Sequence, residues 1–251
     1  AQGPDEALKA ALLDVGADNA RHVVVDEAMR ADFALLVLDA LPGAKHQFTG
    51  ATLGALRMRK SDAEYQELNR AMKAAFASIR PGMSEIELAE IIGESFAADE
   101  AEPLFRIVGA GPNGAFPHHH AGQTKIKSGD AVVIDIGARK GVFSSDITRM
   151  VVVGEPPQDY EKVHAIVEAA VQAGLAAARP GVRASVVDDA ARNVISQAGY
   201  GDYFVHRTGH GMGVEAHEPP YISSTSDTVL ETGMVFSIEP GIYLPGQFGL
   251  R

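Results

Sequence analysis

The most regular pattern in the chain is the alternation of apolar and polar residues from 132 to 150, VVIDIGARKGVFSSDITRM. It predicts two β-strands joined at Lys140-Gly141, because glycine readily takes the positive φ that a two-residue hairpin turn needs. In the register of that turn, Asp135 is expected directly opposite Asp146, with Cβ atoms about 4.5–5.5 Å apart. The apolar residues of the first strand are expected on the other face, against the core: Val132, Ile134 and Ile136.

Two aspartates that face each other within a hairpin are unfavourable, because like charges repel and Asp is disfavoured in strands. A cation between Asp135 and Asp146 would remove the repulsion. The alternative is that both carboxylates lie in solvent on an exposed sheet face. Since their neighbours are apolar and β-branched, the sequence favours a metal-binding hairpin.

The N-terminal part of the chain has shorter patterns. Residues 22–26 (HVVVD) predict a strand and Glu27–Leu41 a helix. These elements are too few to fold alone, so residues 1–55 are interpreted as a partial N-terminal domain, the remainder of a small α/β domain. A helical pattern follows from Ser61 to Arg80.

Residues 56–251 form the second predicted domain, and a repeated turn divides it. Arg80-Pro81-Gly82 ends one helix, and Arg179-Pro180-Gly181 does the same about 99 residues later. Each turn precedes a helix, for which Ser84 and Ser185 are the expected N-caps. Although Pro-Gly is a common turn, two units of similar length and order indicate an internal duplication with pseudo-twofold symmetry.

Three histidines lie within residues 205–221, VHRTGHGMGVEAHEPPY. Glycines beside a histidine let the chain approach a ligand closely, and neutral imidazole is a common metal ligand. A single histidine is often a core residue held by hydrogen bonds. A group of three, His206, His210 and His217, favours a site.

Two further segments carry ionisable residues. Residues 234–243, MVFSIEPGIY, predict an apolar strand that ends at Pro240-Gly241 and in which Glu239 requires a metal or a buried ion pair. Residues 111–120, GPNGAFPHHH, predict a loop with three adjacent histidines, His118, His119 and His120. Spacing alone does not select one of the three.

Composition restricts the function classes. The net charge of −11 disfavours nucleic acid as a partner. With no cysteine, any metal must be held by carboxylates and imidazoles. No apolar run approaches the roughly 18 residues of a membrane span. The first ten residues, AQGPDEALKA, carry no basic or apolar leader, and a cytoplasmic location is expected.

Taken together, the hairpin, HRTGHGMGVEAHEPP and FSIEPGIY resemble the pita-bread metallopeptidases, specifically the Xaa-Pro dipeptidases (prolidases) and aminopeptidases P. The resemblance covers roughly residues 56–251, with several motifs in the family's order. It implies an α+β fold, the pita-bread (creatinase/aminopeptidase) fold, with two α/β halves related by pseudo-twofold symmetry.

The resemblance also implies a role for individual residues. The metal ligands would be Asp135, the bridging Asp146, His210 and Glu239. Catalytic roles fall to Glu239, to His217 at the oxyanion and to His118 as a substrate contact, and His206 would contact the proline end of the substrate. His118 is preferred to its neighbours because it follows Pro117 at the family's spacing. Arg251 and Thr148 would support the ligands.

The implied activity is hydrolysis of the Xaa-Pro bond, in dipeptides, by two divalent metal ions. Mn²⁺ is preferred, with Co²⁺ and Zn²⁺ as alternatives. An aminopeptidase P acting on longer peptides and a metal-free creatinase-like or binding relative are the alternative functions. A proline-containing peptide is the expected partner, and a homodimer the expected assembly.

The family pattern continues to a bridging Glu two positions beyond Arg251. A domain truncated at its C-terminal end, weak metal binding and little activity are therefore expected of these 251 residues.

Overall fold

The computed structural model describes residues 3–25, 29–48, 76–98, 100–141 and 143–251. The chain divides into two compact units, Ala1–Arg57 and Met58–Arg251. Among the described residues, no helix combines the length and apolar character needed to cross a bilayer.

The first unit contains α1 (Pro4–Asp14), β1 (His22–Val25), α2 (Ala31–Ala40) and β2 (Lys45–Phe48), with β1 and β2 parallel. The observed helix α2 is shorter than the helix predicted over Glu27–Leu41. Arg30 has the non-helical ψ of 138°, so α2 begins after it, and residues 26–28 lie outside the described part. That this unit is the remainder of a larger domain stays a prediction.

The second unit is α+β. Its helices are α3 (Glu85–Ala98), α4 (Tyr160–Ala177) and α5 (Ala184–Gln197). Its strands are β3 (Glu102–Ala110), β4 (Ala131–Lys140), β5 (Phe143–Val152), β6 (Gly209–Gly211), β7 (Glu218–Ile222), β8 (Ile242–Leu244) and β9 (Phe248–Leu250). Strands β3, β4 and β5 form one antiparallel sheet, while β6–β7 and β8–β9 are separate antiparallel pairs.

Most of the helix predicted from Ser61 to Arg80 lies outside the described residues. Residues 76–78 are helical, and Ile79 and Arg80 are not.

Apolar packing anchors the sheet that carries the predicted hairpin. One face of β4 lies against α3, and its three large apolar side chains are at most 1% exposed. A second cluster packs α4 and α5 against β8 and β9, through Val163, Ile195, Ile242 and Leu250. The predicted core face of β4 is therefore correct: Val132, Ile134 and Ile136.

Matching backbone hydrogen bonds reveal the internal duplication. Gly82 N donates to Ile126 O at 2.9 Å, and Gly181 N donates to Leu230 O at 2.8 Å. The next contacts match as well, because isolated bridges join Ser84 to Lys125 and Arg183 to Val229. Both glycines have a φ near +90°, a backbone conformation that residues with a side chain rarely adopt. The two Pro-Gly turns therefore occupy equivalent positions in two similar halves.

The helix caps of the two halves differ. Ser84 forms a capping box, in which its N–H donates to Glu87 Oε2 at 2.6 Å and its hydroxyl accepts from Glu87 N at 3.4 Å. The prediction of Ser185 as a cap is wrong. Arg183 occupies the N-cap position and Ser185 is already within α5, because Arg183, not Ser185, is the equivalent of Ser84.

The hairpin has a different register from the predicted one. Lys140 pairs with Phe143, so the turn begins at Gly141 rather than at Lys140, and Asp135 lies opposite Thr148 instead of Asp146. The pairing is displaced by two residues. Because side chains alternate with a period of two, both aspartates still lie on the same face of the sheet. They are diagonal neighbours rather than directly opposed.

The Ser84 cap gives a pH-dependent prediction. Hydrogen bonds from Ser84, with a smaller contribution from Lys125, lower the pKa of Glu87 from 4.5 to about 2. A lowered pKa in the folded state stabilises the protein above the unfolded value, and this stabilisation disappears as the pH falls from about 4.5 to about 2. Glu87→Gln should therefore lower the thermal midpoint at pH 7, and the difference from wild type should vanish over that range.

Thermal unfolding followed by circular dichroism across this pH range measures the effect. Glu90→Gln, an exposed change on the same helix, is the matched control and should show no comparable pH dependence. A constant difference between wild type and Glu87→Gln from pH 7 to pH 2 would contradict the assignment.

Candidate metal centre

A buried imidazole lies between two carboxylates. His210 Nε2 is 3.3 Å from Asp146 Oδ2 and 3.2 Å from Glu239 Oε1, and all three side chains are at most 15% exposed. The other ring nitrogen, Nδ1, donates to Gly211 O at 3.1 Å. This bond fixes the ring, so that Nε2 points towards the carboxylates.

The electrostatics of this group are strongly perturbed. Burial by itself lowers the pKa of His210, but the hydrogen bonds with Asp146 and Glu239 outweigh it and raise the pKa to about 9. For Glu239, burial acts in the opposite direction, while His210 and Arg251 bring the pKa down to about 2. An imidazolium and a carboxylate therefore stabilise each other here.

Asp135 is next to this group and has partners of its own. Thr148 Oγ1 donates to Asp135 Oδ1 at 2.9 Å, and the guanidinium of Arg251 contacts Asp135 Oδ2. Arg251 also lies 3.5 Å from Glu239 Oε2. Burial raises the pKa of Asp135, and Arg251 opposes this effect. Thr148 and Arg251 therefore contact predicted metal ligands directly.

Glycines on both sides of His210 allow neighbouring backbone to approach. A Cβ on Gly209 would collide with the carbonyl of Ser237, and one on Gly211 with the carbonyl of Pro219. Close approach to a ligand was the expected reason for these glycines. In the structure, they instead make room for two adjacent segments of main chain.

The segment that carries Glu239 is not the regular strand expected before Pro240-Gly241. It makes an isolated bridge at Phe236, and β8 begins only at Ile242, after Pro240-Gly241. The segment is still paired, since Ser237 N donates to His210 O and Glu239 N donates to Thr208 O, both at 2.8 Å. These two bonds bring Glu239 beside His210.

His217 lies next to the buried imidazole. Its ring centroid is 4.1 Å from that of His210. Asp146, His210 and His217 each offer a ligand atom, and the three atoms lie within 4.8 Å of one another. Burial, and then the charge of His210, lower the pKa of His217. The geometry therefore allows His217 to act as a ligand as well as in the predicted oxyanion role.

His206 is held by hydrogen bonds at both ring nitrogens. Nδ1 lies 2.7 Å from Arg207 O and Nε2 lies 2.8 Å from the Tyr243 hydroxyl. Since a carbonyl oxygen only accepts, Nδ1 donates and Nε2 accepts from Tyr243. Burial lowers the pKa of His206 and raises that of Tyr243 to about 12. Tyr243 was not found from the sequence, because it reads as part of an apolar strand.

The three adjacent histidines have different environments. His119 Nε2 lies 2.8 Å from the carboxylate of Glu85, which is 0% exposed. His118 and His120 are exposed, and the charge of His118 contributes to the lowered pKa of His206. His119 is thus a structural partner of Glu85, whereas His118 influences His206 through its charge.

Glu85 itself was missed by sequence reasoning. Its carboxylate accepts hydrogen bonds from Ala110 N, Asn113 Nδ2 and Gly122 N, in addition to its contact with His119. Ala110 and Gly122 flank the histidine loop, and Asn113 lies within it. The sequence signal was a glutamate at the first position of a helix, which is usually a solvated residue that interacts with the helix dipole.

A cavity of about 560 Å³ opens beside the carboxylates. Asp146, Glu239 and Arg251 line one part of it, and apolar side chains of β5 and α4 line another. Of the described residues, those in its walls do not include His118, His206 or His217. The histidines predicted to contact substrate therefore lie outside this cavity.

The donor set fits divalent metal ions. The cluster presents three buried carboxylates and an imidazole nitrogen whose ring is fixed from the far side. Oxygen and imidazole donors without thiolate suit ions such as Mn²⁺, Co²⁺ and Zn²⁺. Three such carboxylates are costly to bury together unless positive charge accompanies them.

Comparison with known proteins identifies the family of the chain. The sequence profile of Peptidase_M24, metallopeptidase family M24, matches residues 64–251. The probable dipeptidase PepE of Mycobacterium tuberculosis H37Rv is 43% identical over 237 residues, 90% of this chain and 63% of the relative. The Xaa-Pro dipeptidase of Pyrococcus furiosus is 43% identical over 185 residues, 73% of this chain and 53% of the relative. The chain therefore belongs to metallopeptidase family M24.

A solved structure confirms the fold. The crystal structure of a dipeptidase from Pyrococcus horikoshii OT3 matches with a TM-score of 0.87 and 35% identity, over 100% of this chain and 72% of that one. The α+β pita-bread fold expected from the sequence is confirmed. The chain spans 63% and 53% of the length of the two curated relatives.

The close approach at Gly209 yields a prediction. In Gly209→Ala, the new Cβ would push Ser237 away from residue 209 and so separate His210 from Glu239. We expect a loss of about 1–3 kcal/mol of unfolding free energy, together with weaker binding of divalent metal.

Denaturant unfolding and metal titration measure the two effects. Gly122→Ala is the control, because its Cβ would meet nothing closer than 3.9 Å. Wild-type stability and metal affinity in Gly209→Ala would show that the two segments are not in contact as described.

Proposed function

We propose that this chain is the catalytic part of an Xaa-Pro dipeptidase that depends on two divalent metal ions. The observation that carries the proposal is His210 Nε2 within 3.3 Å of carboxylate oxygens from both Asp146 and Glu239. Support also comes from membership of metallopeptidase family M24 and from similarity to an Xaa-Pro dipeptidase.

Asp135, Asp146, His210 and Glu239 would hold the metal ions, with Thr148 and Arg251 orienting Asp135. When bound, the ions supply Lewis-acid polarisation of the scissile carbonyl and a nucleophilic water at neutral pH. We propose Mn²⁺ as the ion, on the resemblance to the prolidases. The carboxylate-rich ligand set supports a hard ion of this kind.

The chain's own residues would orient the substrate and move protons. His217, whose pKa is lowered, is neutral at pH 7 and can donate a hydrogen bond to the oxygen on which negative charge develops. Glu239, with its low pKa, is ionised and can accept a proton from the attacking water. Delivery of that proton to the departing proline nitrogen completes hydrolysis, since the hydroxyl remains on the carbonyl carbon.

Recognition of proline requires particular contacts, because a prolyl amide has no N–H to donate. His206 is the proposed contact for the proline end of the substrate, with His118 as a second contact. Since both nitrogens of His206 are engaged, a direct hydrogen bond to substrate would replace the one with Tyr243. Tyr243 and His206 would therefore act together at this end of the site.

Two alternatives remain. An aminopeptidase P would use the same centre on longer peptides. A metal-free relative would have kept the fold without the ligands, and the convergence of Asp146, His210 and Glu239 argues against it. Metal analysis of the purified protein separates the second alternative from the proposal. A homodimer and a cytoplasmic location are part of the proposal and do not follow from the geometry of the chain.

Asp146→Asn tests the metal centre. Removing this charge should abolish metal binding and lower turnover by more than about 100-fold, since even indirect partners of metal ligands are worth about 10–100-fold. Turnover of Leu-Pro and Mn²⁺ titration would be measured on protein expressed from the complete gene. Asp202→Asn, at an exposed position, is the control, and wild-type turnover in Asp146→Asn would refute the assignment.

Substrate length tests the choice between dipeptidase and aminopeptidase. We expect Leu-Pro to be hydrolysed with a much higher kcat/KM than Leu-Pro-Pro. Amino acid release followed by chromatography measures both reactions under the same conditions. Preferential cleavage of the tripeptide would favour the aminopeptidase.

A further inference from the structure

An ion pair on α5, whose carboxylate is buried, has no role in the chemistry proposed above. Asp188 is 0% exposed and forms a bidentate pair with Arg192, one helical turn further on. Arg192 Nε donates to Asp188 Oδ2 at 2.8 Å, and Arg192 Nη2 donates to Asp188 Oδ1 at 3.0 Å. Both oxygens of the carboxylate are therefore used.

The pair also binds the backbone that leads to the metal centre. Arg192 Nη1 donates to Phe204 O at 3.2 Å, and Nη2 donates to His206 O at 2.8 Å. Thr208 N donates to Asp188 Oδ1 at 3.0 Å. Every second residue from 204 to 208 is thus held by the pair, and the guanidinium also lies 4.1 Å from the centre of the Phe204 ring.

Thr208 connects the Asp188–Arg192 pair to the segments that carry the proposed metal ligands His210 and Glu239. Its N–H is bound by Asp188, and its carbonyl accepts from Glu239 N at 2.8 Å. Two residues further on, the carbonyl of His210 accepts a hydrogen bond from Ser237 N. Asp188 therefore holds the end of the short ladder whose two sides carry His210 and Glu239.

Stability alone is a weak explanation for such a pair. Removing the carboxylate of Asp188 from water is costly, and well-packed apolar residues of similar volume in place of a buried ion pair are often at least as stable. The planar guanidinium instead offers several donors in fixed directions. Here it makes four hydrogen bonds, to one carboxylate and two carbonyl groups. This geometry defines the path of a backbone segment rather than merely filling space.

We propose that Asp188 and Arg192 are positioning residues that set the placement of His210 against Glu239 and the orientation of His206. The inference rests on the proposed metal centre, to which it adds the device that holds two of its ligands. Neither residue touches substrate or reacting atoms.

The test compares Asp188→Asn with Asp189→Asn, which removes the same charge from the adjacent, exposed position on the same helix. Two readouts are needed on protein from the complete gene, at a temperature where all variants are folded. Co²⁺ titration followed by visible absorption reports the ligand geometry. Hydrogen exchange of peptides covering residues 204–210 reports the backbone without any metal.

We expect Asp188→Asn to bind Co²⁺ about tenfold or more weakly and to exchange faster over residues 204–210, while Asp189→Asn matches wild type in both. A merely structural loss would lower the thermal midpoint without changing the Co²⁺ affinity of the folded protein. Arg192→Lys gives a second variant, since a lysine ammonium cannot make all four bonds, and its Co²⁺ affinity should fall likewise.

The outcomes separate this inference from the proposed function. If wild type binds Co²⁺ and Asp188→Asn binds it equally well, or if exchange over residues 204–210 is unchanged, the positioning role is wrong. If wild type itself binds no Co²⁺, the proposed metal centre fails, and hydrogen exchange alone still decides whether the pair holds the backbone.

Discussion

The repulsion among three buried carboxylates is the constraint on which this part of the structure depends. Asp135, Asp146 and Glu239 are removed from water on neighbouring segments, and each would prefer solvent. His210 and Arg251 compensate by placing positive charge between them. The shifted pKa values of His210 and Glu239 are consequences of this arrangement. A protein that needed only stability would have little reason to bury so many charges together, which is why the cluster indicates chemistry.

Both halves of the duplicated unit support their histidines with a fully buried acidic residue on a helix. Glu85 on α3 holds the loop that carries His118, and Asp188 on α5 holds the segment that carries His206. The two acids are not at equivalent positions, because the residue equivalent to Glu85 is Ala184, the first of α5. The halves thus share a turn and a helix but differ in how each helix binds its loop.

Much of the site could be predicted from the sequence, because the alternation of side chains along a strand and the positions of glycines at turns are local signals. The face that carries Asp135 and Asp146 was correct, since it depends only on the period of two. Their direct opposition was wrong, since the register depends on which residue begins the turn, and Gly141 is compatible with either position. Glu85 and Tyr243 could not be found, because their partners are distant in the chain. Asp188 could not be found either, because with Arg192 it forms an ordinary i,i+4 pair on a helix, and its contact with Thr208 is twenty residues away. Residues 234–239 do not form the regular strand that their apolar run predicted; they pair with the segment of His210 through an isolated bridge at Phe236 and backbone hydrogen bonds from Ser237 and Glu239.

Because glycines flank His210, contacts between main-chain atoms set the distance between the segments that carry His210 and Glu239. With no side chain between residue 209 and Ser237, the two segments lie at the closest distance that backbone atoms allow. Substitutions elsewhere in the pocket can then alter charge, polarity or access without changing the separation between imidazole and carboxylate. The surroundings of the site can thus diverge among related proteins while the backbone that carries His210 and Glu239 keeps its spacing.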